Sequence, residues 1–288
     1  MRVLTLANVA HTVVDDNDHE ATSRSFWEWL VSSDGFHSPS IGDFNPEALL
    51  WAGTIFEFNR ITMVRVIAAV VLISIFWIVA SRARVVPSRG QAVVEFIYDF
   101  VRVQIVEQVM SAHHAKKYMG FLFTLFITIV FFNITGVIPF LNIAGTSLIG
   151  LPIIMALWVY VLYLSAGIRQ HGVGGFLKIN LFPPGVPKPI YLLLTPIEAL
   201  QVFVLRPATL ALRLAANMMA GHLLLVLCFA ATHYFFLEAT GWLKGMGAVS
   251  FAAAMAFTLF EIFVALLQAY VFTILSALYI NMSLEDAH

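Results

Sequence analysis

Cysteine is all but missing from this sequence. The single one, Cys228, lies inside an apolar run, which excludes an internal disulfide and argues against a cysteine-built metal or iron–sulfur site. Charge is scarce too: 11% of the 288 residues are charged, and the formal net charge is -1. Without a surplus of Lys and Arg there is little to neutralise a phosphate backbone, so nucleic acid is a poor partner. No P-loop occurs, so the chain is not expected to bind or hydrolyse nucleotide itself. The histidines show no metal-ligand spacing, and no cofactor is expected. What is abundant is hydrophobic side chain, 60% of residues with a mean hydropathy of +0.87. That composition belongs to an integral membrane protein.

Residues 1–57 form a water-facing N-terminal segment, with Arg2 and Arg24 set against nine acidic side chains. The short apolar stretch Val3–Ala10 behind Arg2 is followed at once by Asp15, Asp16, Asp18 and Glu20, so it reads as an ordinary tail and not a signal peptide. Residues 58–288 read as one polytopic membrane domain. Val66–Ala80 is uncharged and, extended back to Ile61, reaches the ~20 residues that cross about 30 Å of hydrocarbon. Ala92–Met110 alternates apolar positions with Glu95, Asp99, Arg102 and Glu107, the pattern of a surface-lying amphipathic helix.

Tyr118–Ile168 contains no Asp, Glu, Lys or Arg. It has room for two spans, with a turn at Asn142–Ser147. Arg169–Pro189, rich in Gly and Pro, reads as an aqueous loop. Ile190–Leu237 is a 48-residue, mostly apolar segment, about 70 Å long if helical throughout. It either breaks near Pro207 into two pieces or runs as one strongly tilted helix. Gly241–Gly247 reads as a turn, and Ala248–Met282 as a long last helix.

The loop at residues 82–117 holds six basic side chains and is therefore assigned to the cytoplasmic side. The N-terminus then lies outside. With 190–237 as a single crossing, the C-terminus lies in the cytoplasm.

Arg213 stands out, because 24 residues follow it before the next charge at Glu238. An arginine at mid-membrane costs from about 3 to above 10 kcal/mol, and its guanidinium cannot discharge to escape. It should therefore face a protein partner or a water-filled cavity. Ala208, Ala211, Ala215, Ala216, Ala220 and Gly221 around it offer little bulk and admit close approach. Thr209, Arg213, Asn217 and Gly221 recur every four residues as one low-relief stripe. On the last helix, Glu261, Gln268 and Tyr279 fall within about 20° of one another. Glu261 is a candidate proton-relay carboxyl. His222, nine residues after Arg213, lies on the opposite side of its helix and is a second candidate proton carrier.

Arg206-Pro207, Leu210-Ala-Leu-Arg213-Leu-Ala-Ala-Asn217-Met-Met-Ala-Gly221-His222, and Leu267-Gln268-Ala269-Tyr270-Val271-Phe272 with Tyr279 together resemble the a subunit of bacterial F-type ATP synthases. The resemblance is specific over residues 190–282 and looser from residue 58. It implies an all-α membrane fold of about five spans and one interfacial helix, with the last two helices long and tilted. It favours a single crossing for 190–237. It also implies a bacterial plasma membrane location, b-type peripheral-stalk subunits, and a ring of c subunits as partners.

In the family the matching arginine faces ring carboxylates, and protons pass through two offset half-channels. Arg213, Asn217, His222, Glu261, Gln268 and Tyr279 match the family's polar positions. Glu198 matches an acid of its access path, at a spacing to Arg213 one residue longer than in some members. The alternative is a secondary transporter with an intramembrane arginine site. The hydrophobic pattern contains no internal repeat to favour it.

Overall fold

The computed structural model describes residues 48–50, 58–138, 146, 148–182, 188–237, 241 and 244–285. The expected N-terminal segment, apart from Ala48–Leu50, and most of the Asn142–Ser147 turn lie outside these. The structure divides into two compact units. One comprises Met1–Met63 with Gly221–Phe260, and the other Val64–Ala220 with Glu261–His288.

In the first unit, a short antiparallel pair, β1 (Ala48–Leu50) and β2 (Phe58–Asn59), precedes the helices. The first span, α1 (Arg60–Ser81), begins beside it. Asn59 Oδ1 accepts from the Thr62 backbone N–H at 2.9 Å and from the Thr62 hydroxyl at 3.0 Å. Two donors at the helix start are thereby satisfied. The unit also contains the later part of α6 (Arg206–Leu237) and the earlier part of α7 (Lys244–Leu284), where Gly247 lies against the ring of Phe236.

In the second unit, α2 (Arg89–Val101) is capped by Ser88, whose side chain accepts from the Gln91 N–H. The Gln91 amide holds the preceding loop in both directions. It accepts from Arg84 N–H at 3.0 Å and donates to the Arg84 carbonyl at 2.9 Å. A π turn, Arg102–Val106, continues α2 and buries Val101, Ile105 and Val106, while Val93 and Phe96 stay exposed. This is the expected amphipathic element. Val101, Ile105 and Val106 join the core into which α3 (Ala112–Ile134) sends Met119, Leu122, Phe126 and Ile129, a face at helical spacing.

The next helix, α4 (Gly150–Leu181), corrects the expected aqueous loop, because helix continues through Arg169–Leu181 after a kink at Gly172 (φ 70°, ψ 168°). Glycine takes that left-handed φ without a Cβ penalty. Beyond the kink, Phe176 is buried, its ring against Gly167 and 5.8 Å from the ring of Tyr163. A Cβ at Gly167 would meet Phe176 Cε2 at 2.6 Å and Ser283 Cβ at 3.2 Å. The sequence cue was misleading because, of Gly172, Gly174 and Gly175, Gly172 alone leaves helical geometry, at a kink with helix on either side.

Residues 191–237 resolve the open choice at Pro207. The helix is continuous from Tyr191 to Leu237, built from α5 (Tyr191–Leu200), a π turn (Gln201–Leu205) and α6. Pro207 cannot donate to the carbonyl one α turn back. The wide turn just before it, closed by Arg206 N–H to the Gln201 carbonyl, relieves that conflict without ending the helix. The turn expected at Gly241–Gly247 is shorter, since α7 already begins at Lys244 and runs to Leu284.

Among the described residues, five helices are long and apolar enough to cross a membrane: Ile61–Ser81, Ala112–Ile134, Gly150–Leu181, Tyr191–Leu237 and Lys244–Leu284. The last two, at 47 and 41 residues, measure about 70 and 60 Å along their axes. Each must tilt far beyond the average of about 20° or emerge from the hydrocarbon. Along α7, Leu259, Phe260, Ile262, Phe263, Leu266 and Leu267 are exposed, while Glu261, Gln268, Thr273 and Ser276 are buried. Apolar outside and polar inside is the arrangement lipid demands.

Candidate functional site

Two helices carry the polar residues, α6 and α7. On α6, Arg213 is exposed, and so are Thr209, Leu212, Ala216 and Ala220 beside it. Leu210, Ala211, Leu214, Ala215 and Met218 are buried. The helix thus turns a ridge of apolar side chains and alanines inward, and outward a strip in which Thr209, Ala216 and Ala220 are small and Leu212 is not, with one guanidinium on it. Among the described residues, no hydrogen bond or ion pair reaches Arg213. Thr209 is turned back on its own helix, its hydroxyl donating to the Leu205 carbonyl at 2.7 Å. Asn217, one turn after Arg213, is half-buried. His222 is buried at 8% exposure.

On α7 the hydroxyls are self-satisfied, Thr273 donating to the Ala269 carbonyl at 2.8 Å and Ser276 to the Phe272 carbonyl at 2.7 Å. Such back-bonding hides a hydroxyl inside its own helix. Glu261 and Gln268 have no such outlet. Both are buried, at 4% and 6% exposure, and among the described residues the two carboxyl oxygens of Glu261 and Nε2 of Gln268 have no hydrogen-bond partner. Buried polar atoms are almost always paired, so unpaired ones call for an explanation. The two helices meet between these groups, where Ala265 of α7 packs on Met218 of α6, the residue after Asn217.

Further along α7, Tyr279 is half-buried. Its ring lies 5.4 Å from the Arg206 guanidinium, and the Tyr163 ring of α4 lies 5.7 Å from the same group. Arg206 is buried at 8% exposure, with no ion pair among the described residues. Two aromatic faces replace a carboxylate as its counter-charge. Sequence reasoning named Arg206 only as part of a motif. The available signal was its charge inside an apolar segment, but nothing in the sequence points to its aromatic partners. Glu198 is half-buried on α5, on the far side of the π turn from Arg213.

Comparison with known proteins turns this geometry into a family assignment. The model of the ATP synthase A chain family matches residues 62–281. The chain belongs to that family. The match takes in all five membrane-length helices almost to their ends and leaves the N-terminal 61 residues outside it.

Similar proteins include the ATP synthase subunit a of Rhodococcus erythropolis, 41% identical over 260 residues, which covers 90% of this chain and 94% of that one. That of a Nocardioides species is 36% identical over 90% of this chain and 96% of its own. That of Streptomyces lividans is 32% identical over 88% of this chain and 90% of its own. This member of the family is therefore a multi-pass membrane protein whose membrane-length segments are α-helices.

Proposed function

We propose that this chain is the stationary proton-conducting subunit of an F-type ATP synthase, supplying two half-channels to a rotating ring of c subunits. The observation that carries the reading is Arg213, a permanent charge in a membrane-length helix, exposed on a strip of mostly small residues with no partner in its own chain among the described residues. Facing lipid it would cost from about 3 to above 10 kcal/mol. Facing a ring carboxylate it is paired, and the small residues around it let the ring pass close.

Arg213 acts by favouring the ionised form of whichever ring carboxylate stands beside it. A carboxylate arriving protonated must release its proton before it can pass. Because the guanidinium holds its own protons, it also prevents a direct transfer between the half-channels. Glu261, Gln268, Asn217 and His222, with Glu198 and Tyr279, supply the polar route by which protons reach and leave the ring. The unpaired atoms of Glu261 and Gln268 support that assignment. Moving one charge through 100 mV yields about 2.3 kcal/mol, so several protons are needed per ATP.

The basic loop at 82–117 faces the cytoplasm of a bacterial cell, the N-terminus lies outside, and b-type peripheral-stalk subunits hold the chain against rotation. An odd number of crossings and the positive-inside rule support this orientation. Residues 58–288 act as one membrane domain.

The test is ATP-driven acidification of inverted vesicles from cells whose sole copy carries Arg213→Ala, with assembly of the complex measured on the same membranes. Loss of pumping in an assembled complex is expected. Normal pumping would refute the mechanism.

A further inference from the structure

Asn133, near the end of α3, is 1% exposed and makes two long-range contacts. Its Nδ2 donates to the carbonyl of Ala265 on α7 at 3.3 Å. Its Oδ1 accepts from the hydroxyl of Thr146 at 2.6 Å, and Thr146 is fully buried. A lone amide so deep in an apolar helix is costly unless both its donor and its acceptor are used, and here each finds a partner.

The point of attachment matters more than the bonds. Ala265 lies one turn after Glu261 and one before Gln268 on α7, and it is the residue that packs on Met218 of α6. Its carbonyl already accepts the helix's own N–H, so the Asn133 bond is an added tie at one fixed height. Most polar side chains of α7 bond within their own helix, as Thr273 and Ser276 do. Such bonds cannot set the rotation of a helix against its neighbours. The tie from Asn133 can, because it fixes one carbonyl of α7 to a different helix.

We propose that Asn133, oriented by Thr146, is a positioning residue that fixes the height and rotation of α7 so that the Glu261–Gln268 face meets α6 beside Asn217. This rests on the reading of that face as a proton route. Asn133 itself carries no proton. Leucine at this position would fill the space and remove the tie. A single buried amide that sets register in an otherwise apolar contact is a well-attested use of such a residue.

The experiment measures ATP-driven pumping in inverted vesicles, divided by the amount of assembled complex, for Asn133→Leu, Thr146→Val, Thr146→Ser, the Asn133→Leu/Thr146→Val double variant and Gln268→Leu. One interhelical hydrogen bond in a membrane corresponds to a factor of about three to twenty. Asn133→Leu should lower the per-complex rate by that factor, and Thr146→Val by less. Thr146→Ser should hold the rate, and the double variant should be no slower than Asn133→Leu alone.

A structural role alone would lower the amount of complex and leave the per-complex rate unchanged, and that result overturns the proposal. So does a double variant whose losses multiply. If Asn133→Leu does not assemble, Thr146→Val against Thr146→Ser decides, and equal full rates overturn it. Gln268→Leu separates the two levels. If it pumps normally, the proton-route reading fails. If it is impaired while the Asn133 and Thr146 variants are not, only the positioning role fails.

Discussion

Tyr279 offers a perturbation in which two roles of one side chain give opposite results. The guanidinium of Arg206 lies 5.4 Å from its ring and 5.7 Å from that of Tyr163, both inside the ~6 Å limit for cation–π attraction. Arg206 is 8% exposed, so these contacts belong at the desolvated end of the scale, about 2 kcal/mol each. Tyr279→Phe keeps a ring of similar charge distribution and should cost well under about 1 kcal/mol. Tyr279→Leu removes one of the two faces and should cost about 2 kcal/mol, a thirtyfold change in an unfolding equilibrium.

The assay is unfolding of the purified chain by increasing SDS in mixed micelles. The Leu variant should unfold at a clearly lower SDS fraction than the parent, with the Phe variant close to the parent. Equal destabilisation by Phe and Leu would refute the reasoning, since the hydroxyl and not the ring would then be what matters. Pumping by the Phe variant separates the second role. A stable Tyr279→Phe chain that pumps poorly assigns the hydroxyl to the proton route, independently of the ring's grip on Arg206.

Three further outcomes follow from local geometry. Gly167→Ala should destabilise by about 1–3 kcal/mol, seen in the same SDS titration, because the added methyl overlaps Phe176 and presses on Ser283. Gly172→Ala places a Cβ at φ 70° and should cost about 1 kcal/mol or more. Limited proteolysis of the connection after Leu181 would report any resulting loosening of the end of α4. Arg102→Ala should leave assembly and pumping unchanged. Its ion pair with Glu107, 2.7 Å long, has side chains 56% and 40% exposed. Although Glu107 raises the guanidinium's pKa, the group is charged across the working range, so no pH dependence should arise there.

The membrane plan was legible because lipid imposes a severe rule on the sequence. An uncharged run such as Tyr118–Ile168 has few alternatives to spanning, and the alternation of Ala92–Met110 has few alternatives to an interface. Arg213 was legible for the same reason, as a charge whose cost demands an explanation. What stayed hidden depends on partners distant in the chain. Nothing near Asn133 announces that it will meet Ala265, and nothing near Arg206 announces two tyrosines.

The helical end of α4 was misread for another reason. Gly172, Gly174 and Gly175 carry strong loop signals, yet only Gly172 departs from helical geometry, and Phe176 gains enough burial to hold the helix beyond it. Pro207 likewise breaks a helix in most settings, and here the break is absorbed upstream.

That absorption bears on how positions in this family should be matched. A π turn accommodates one residue more than an α turn over the same rise. The segment Gln201–Leu205 stands between Glu198 and Arg213. An insertion of one residue in an ideal α-helix would swing everything before it by about 100° relative to everything after. Confined to a π turn, the extra residue bulges outward and the two flanking segments keep their phase. Counting residues therefore places Glu198 on the wrong side of the helix. Conversely, deleting one residue from 201–205 should convert the bulge to regular helix and leave Glu198 and Arg213 facing as before.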